Sequence, residues 1–214
     1  MNVLIKRKRI KNLYVRVDAE GNIVVSAPRH LSEKAIFSFL EKKKDKLNSI
    51  AEKRKAERII YENGSLLPYL GEFIVLKVFN SDKEKTVFNE KKKFLEIYSP
   101  KTASHFVEEK VWEWYKYEVL KIVKPMALSY ASLLGKDIKR ISVKRMKTRW
   151  GSCNSVKGYL NFNSNLALKR MEGIQYVVAH EVAHLVCPGH GKDFYKTVGY
   201  LYPEWQKGKS VLYE

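Results

Sequence analysis

The 214-residue sequence predicts an α+β protein, and three observations carry that prediction. Residues 3–27 alternate in the fashion of half-buried strands, and residues 66–98 are β-rich and read as a second small sheet. A long stretch from about 102 to 134 keeps a helical period instead. The strand-rich and helix-rich parts are segregated, with the cleanest boundary near residue 100, so the expected domains are 1–100 and 101–214.

In chain order, LYVRV and IVVSA read as strands joined by the turn DAEGN, and Pro28 ends the second. Ser32 is a predicted N-cap with Glu33 in the first helical turn. Ala35, Ile36, Phe39, Leu40, Leu47 and Ile50 keep one apolar face, which predicts a helix to about Arg58. Asn63-Gly64-Ser65 breaks the chain, and LLPYLGEFIVLKVF and FLEIY supply a second small sheet. Pro125 is expected to kink or split the long helix, because proline lacks the N–H and clashes with the preceding turn. Gly135 is its natural C-cap. ISVKRM is a strand candidate, and RWGSCNSVKGYLNFNSNL reads as a hairpin turning near 155–158. Its second strand would set Leu160, Phe162, Ser164 and Leu166 on one face and three asparagines on the other. Glu172 to Cys187 follows as a helix, stopped by Pro188-Gly189.

The formal charge is +18, and its location matters more than its size. Residues 1–60 hold 16 Lys/Arg against 7 Asp/Glu, and residues 136–160 hold 8 against 1. These two basic segments suit a polyanionic partner, nucleic acid or nucleotide phosphate; solvated lysines are the alternative. No apolar run reaches the roughly 18 residues of a membrane helix, and the first residues do not read as a signal peptide, so no membrane partner is expected. Cys153 and Cys187 cannot build a disulfide framework, which fits a reducing cytoplasm, and both read as packed free thiols.

Three of the five histidines fall in HEVAHLVCPGH, residues 180–190. His180 and His184 are spaced i, i+4, so their rings share one helical face and suit two nitrogens on one metal ion. Glu181 stands beside them, placed to take a proton from a metal-activated water and pass it to a leaving group. This H-E-x-x-H pattern points to metal-assisted hydrolysis. His190, six residues after His184 and beyond the Pro-Gly break, is the candidate third ligand. Three imidazoles favour zinc over nickel or manganese. The spacing equals that of metzincins, but their glycine position holds Cys187 and the glycine falls at Gly189, so the chain turns by another route. Two histidines and a glutamate on an otherwise Val/Leu face would be costly to bury without a partner, which argues against mere core packing.

Together, RWGSC at 149–153, YLNFN at 159–163 and HEVAHLVCPGH at 180–190 followed by Asp193-Phe194 resemble the YgjP-like metallopeptidase family, a branch of the zincins similar in motif to SprT-like proteases. The resemblance covers nearly the whole chain, with Gly191 and Tyr195 as departures that remove no ligand. It implies a zincin-like C-terminal domain whose active-site helix packs on a small antiparallel sheet, and a β-rich N-terminal domain with one helix. It further implies His180, His184 and His190 on Zn2+, Glu181 as general base, and a peptide or protein substrate. Arg149 is the candidate oxyanion donor, with packing of the hairpin as its alternative role. Asn161 and Asn163 are expected to brace the helix, and Asp193 is a candidate to orient a ligand ring. His30, His105 and the Trp112–Tyr117 aromatic band are expected to be surface and packing residues. Two other functions stay open: hydrolysis of nucleoside triphosphates at the same metal site, and a nucleic-acid-associated protein with a structural zinc.

Overall fold

A computed structural model describes residues 3–18, 20–56 and 59–213. The chain divides into two compact units, 1–59 and 60–214.

In the first unit, β1 (Val3–Lys8), β2 (Tyr14–Val17) and β3 (Ile23–Pro28) form a sheet ordered β1-β3-β2. β2 and β3 pair antiparallel, as the DAEGN turn requires, whereas β1 lies parallel to β3. Strand alternation sends Ile23, Val25 and Ala27 inward against Ile36, Leu40 and Leu47. Ser32 caps the first helix as expected, its hydroxyl accepting from the Ala35 N–H at 3.2 Å. The single helix expected over 33–58 is two, α1 (Glu33–Glu41) and α2 (Lys44–Ala56). The break falls in the Lys42–Lys44 run, between buried Leu40 and the next buried positions, Leu47 and Ala51. Phe39 and Ile50, assigned to the apolar face from their spacing, are exposed.

The second unit holds the sheet ordered β4-β5-β7-β6, built from β4 (Leu66–Tyr69), β5 (Glu72–Asn80), β6 (Lys85–Asn89) and β7 (Phe94–Ser99). This sheet belongs with the C-terminal helices, not with residues 1–59, so the compact units part about 40 residues before the boundary expected near 100. The ties are specific. Tyr115 donates its hydroxyl to the Pro68 carbonyl at 2.6 Å, Tyr69 donates to Glu118 at 2.8 Å, and the Leu70 N–H donates to the Ala167 carbonyl. α3 (Ser104–Leu133) runs through Pro125 without splitting. Its buried residues, Val107, Val111, Tyr115, Val119, Val123, Ala127 and Ala131 among them, repeat at three to four residues. Gly135 follows its end at φ +62°, where a helix stop favours glycine.

β8 (Arg140–Lys144), β9 (Gly151–Asn154) and β10 (Tyr159–Asn163) form the sheet of the site, ordered β8-β10-β9. The expected hairpin is β9–β10, and β8 adds in parallel, so this sheet is mixed and not purely antiparallel. The second hairpin strand ends at Asn163, because Asn163 accepts from the Asn165 N–H and starts a short 3-10 turn over Ser164–Leu168. α4 (Met171–Ala183) follows, then α5 (Lys192–Leu201) and α6 (Trp205–Tyr213). α4 packs against α3, α5, α6 and β9, and is buried on nearly every side. Gly208 lets α6 approach this closely: a Cβ there would stand 2.9 Å from the Tyr176 Cβ. Among the described residues no helix is long and apolar enough to cross a membrane.

Candidate active site

α4 carries three of the candidate residues, His180, Glu181 and the C-cap His184, and its sequence is apolar almost all round. Ile174, Val177, Val178 and Val182 bury the helix, and that burial draws Glu181 in with them. Glu181 is 6% exposed. Its side chain fills the place where a Cβ on Gly151 would sit; an added methyl would stand 2.6 Å from Cγ and from Oε1. The glycine of RWGSC therefore lets the edge strand β9 press against the carboxylate. Burial pushes the Glu181 carboxyl up to about 7, and the Arg149 charge pulls it back in part.

The helix ends at Ala183 with His184 as its C-cap, four residues short of the expected Cys187. Tight turns follow, the Cys187 N–H donating to the Ala183 carbonyl, and they bring His190 back beside the helix. His180 Nε2 lies 3.2 Å from His190 Nε2. One nitrogen from each of His180, His184 and His190 lies within 4.8 Å of the others; among the described residues no other His/Cys/Asp/Glu group of three could hold a metal ion in this way. The three ring centroids are 4.8–5.1 Å apart. Phe194, 1% exposed, touches all three rings at 4.6–4.9 Å and packs them together.

The rings are oriented by neighbours that spacing alone could not reveal. His184 Nδ1 lies 3.0 Å from the Cys187 carbonyl, which can only accept, so Nδ1 carries the hydrogen and Nε2 keeps a free lone pair. Asp193, the expected orienting residue, is exposed; its backbone carbonyl receives the Thr197 hydroxyl. Tyr176 Oη lies 3.5 Å from His180 Nδ1. Burial, with help from the neighbouring imidazoles, lowers His180 to about 4, and burial also lowers His184. Both are therefore neutral donors near pH 7.

Arg149 is exposed on the loop between β8 and β9. With Trp150, Gly151, Tyr176, His180, Glu181 and Tyr213 it lines a cleft of about 310 Å³. Asn163 braces this loop rather than the helix. Its Nδ2 donates to the carbonyls of Met146 (2.9 Å) and Arg149 (2.8 Å), while Oδ1 accepts from the Met146 and Asn165 N–H groups. Asn161 pins the three strands, accepting from the Ser142 hydroxyl and donating to Ser152. Cys153 is a thiol held up at about 11 by burial and by Glu181, and Cys187 Sγ sits 3.7 Å from the Thr197 hydroxyl. Both are free cysteines outside the imidazole cluster. His30 and His105 are exposed and are not members of the cluster, while Trp114 and Tyr115 of the aromatic band are buried. Gly151, Phe194 and the Cys187 carbonyl are thus the contributors that motif reading missed.

A buried helix bearing H-E-x-x-H, set against a sheet edge, is the architecture of a metal-dependent hydrolase. The family comparison makes the class specific: the family model "YgjP-like, metallopeptidase domain" matches residues 11–214, and the chain belongs to that family. It is a hydrolytic enzyme of the metallopeptidase type, whose family implies a divalent metal and protein or peptide substrates. Among solved structures, the metallopeptidase zymogen of Pyrococcus abyssi abylysin is similar at 18% identity and a TM-score of 0.36, over 42% of this chain and 87% of that one. No curated protein matches.

Proposed function

We propose that the chain is a zinc-dependent peptidase in which His180, His184 and His190 hold the metal and Glu181 is the general base. The observation that carries this reading is the convergence of three imidazole nitrogens beside one buried carboxylate on the same helix. Three imidazole nitrogens within 4.8 Å of one another are a donor set of the kind that holds this ion, and one pair already stands at its spacing. Zinc–nitrogen bonds of about 2.0–2.1 Å in a tetrahedral site put donor atoms about 3.3 Å apart, and His180 and His190 present theirs at 3.2 Å. Two of the three rings are held neutral without metal, as ligands must be. When bound, zinc supplies Lewis acidity that polarises a carbonyl and acidifies water.

The chain's own groups do the rest. With a dication held by the three histidines the ionised carboxylate would be favoured, which would draw Glu181 from its raised value toward its basic form. A Glu181 oxygen takes the proton of the attacking water and delivers it to the departing amine nitrogen. Arg149 extends from the braced loop to the cleft rim and donates to the oxyanion as it develops. The edge strand β9 offers unpaired backbone groups to an extended peptide. The two thiols play no part. A cytoplasmic setting accords with the free cysteines.

The basic excess of 41 Lys/Arg over 23 Asp/Glu supports a second substrate class at the same site, a nucleoside triphosphate. A screen of casein-type peptides against nucleotides, before and after chelation and with zinc restored, separates the two. Chelator-sensitive peptide cleavage that returns with zinc is the expected result. Nucleotide turnover without peptide cleavage would replace the peptidase reading. Folded, chelated protein that hydrolysed neither substrate when reloaded would make the metal structural.

A further inference from the structure

The N-terminal sheet has two faces, and only one is used by its own core. Inward positions of β1, β2 and β3 meet α1 and α2. The register fixes what the outer face carries. Lys6 pairs with Ser26 and Ser26 with Tyr14, giving one row across the sheet. Leu4, Val24 and Arg16 form the next row, and Lys8 pairs with Pro28 beyond. The outer face therefore presents Lys6, Lys8 and Arg16 around a tyrosine, and its eight positions include no carboxylate. On the flanking strands Tyr14 is 59% exposed and Leu4 52%, and Lys6, Lys8 and Arg16 are exposed as well; on the central strand Val24 and Pro28 are buried and Ser26 is half-buried, so the open part of the face is its two flanks.

A solvated sheet face ordinarily interleaves both signs of charge. The acidic residue closest in sequence, Asp18, lies beyond the end of β2, and its carboxylate is occupied by the Asn22 and Glu20 N–H groups. The remaining cation of β1, Arg7, is turned to the sheet end, where its guanidinium donates to the carbonyls of Pro28 and Leu31. Arg7 is thus in structural use, whereas Lys6, Lys8 and Arg16 make no such bond among the described residues. An aromatic ring next to a small Ser26, with cations on both flanking strands, is a stacking platform with an electrostatic border. Alternate residues of a strand lie about 6.6 Å apart on one face, so Lys6 and Lys8 can follow successive phosphates.

We propose that this face binds single-stranded nucleic acid, with Tyr14 stacking on a base and Lys6, Lys8 and Arg16 contacting phosphates. Duplex would meet the cations but offer no open base to the ring. The proposal does not rest on the peptidase reading, because neither the metal nor Glu181 enters it.

The test is fluorescence anisotropy of a labelled 12-nucleotide single strand with the full chain across a salt series. Wild type is expected to bind the single strand more tightly than a duplex of the same length. The triple variant Lys6→Gln, Lys8→Gln, Arg16→Gln should lose at least about tenfold in affinity, and its log–log salt slope should flatten by about 2. A control removing the same charge from exposed turns, Lys83→Gln, Lys91→Gln, Lys92→Gln, should bind nearly as wild type does. Tyr14→Ala should weaken binding by about fivefold or more with the slope unchanged. Circular dichroism checks that each variant is folded. No binding by wild type, equal loss in the control triple, tighter binding of duplex, or full affinity in Tyr14→Ala would overturn the proposal.

Discussion

Glu118 and Glu181 are both buried glutamates of the second unit, 7% and 6% exposed, and they are held in opposite ways. Glu118 accepts the Tyr69 hydroxyl at 2.8 Å and has Lys121 Nζ at 3.7 Å. Its burial is answered by partners, and it ties α3 to β4. Glu181 sits against a glycine, with burial raising it to about 7 and only Arg149 acting against that. A carboxylate with matched partners holds a fold together. One whose burial outweighs its partners is poised to gain and lose a proton near neutral pH. The difference teaches that accessibility alone does not single out a candidate acid; the balance around it does.

The largest expected effect breaks the pair apart by activity. Glu181→Gln should lower peptidase kcat/KM by about 10²–10⁴-fold with bound metal unchanged, while Glu118→Gln should stay close to wild type. Equal rates in wild type and Glu181→Gln would end the general-base assignment.

The next effect is on stability in chelated protein. Glu181 has its folded value raised above the unfolded one, so the folded state binds more protons between about 4.5 and 7 and loses stability as pH rises through that window. Glu181→Gln removes the loss. It should stabilise the metal-free fold at pH 8 by roughly 3 kcal/mol, taking 1.36 kcal/mol per pKa unit, and by almost nothing at pH 4. Urea titrations at the two pH values measure this, and a gain independent of pH would contradict the assigned burial effect.

Gly151→Ala sharpens the comparison from the other side. Its methyl must displace the Glu181 side chain, so the variant should lose about 1–3 kcal/mol of stability together with much of its activity. Full activity would show that the carboxylate is not held where it acts. The smallest effect belongs to the structural glutamate. Tyr69→Phe removes the hydroxyl that Glu118 accepts and should cost about 1–2 kcal/mol, read as a lower urea midpoint, with kcat/KM unchanged.

What could be read in advance follows the reach of each interaction. His180, His184 and Glu181 lie within about one helical turn, so their spacing alone marked a candidate metal site. His190 needed only a short bend. Gly151 was invisible because it matters through close approach to a residue 30 positions on. The Cys187 carbonyl was invisible because any residue supplies one. Phe194 stood in the sequence only as the residue after Asp193, and nothing local showed that its ring would meet all three imidazoles. The compact units part near 60 and not near 100 for a similar reason: Pro68 and Tyr69 are held by Tyr115 and Glu118, nearly 50 positions away. The parallel pairing of β1 with β3 skips a strand and leaves no local mark.

Zinc K-edge X-ray absorption on purified protein, with metal counted per chain, tests the central claim most directly. The account predicts one zinc per chain, a shell of nitrogen and oxygen donors at about 2.0–2.1 Å, and loss of most of the metal in His190→Ala. Sulfur in the first shell, or full zinc occupancy in His190→Ala, would contradict it.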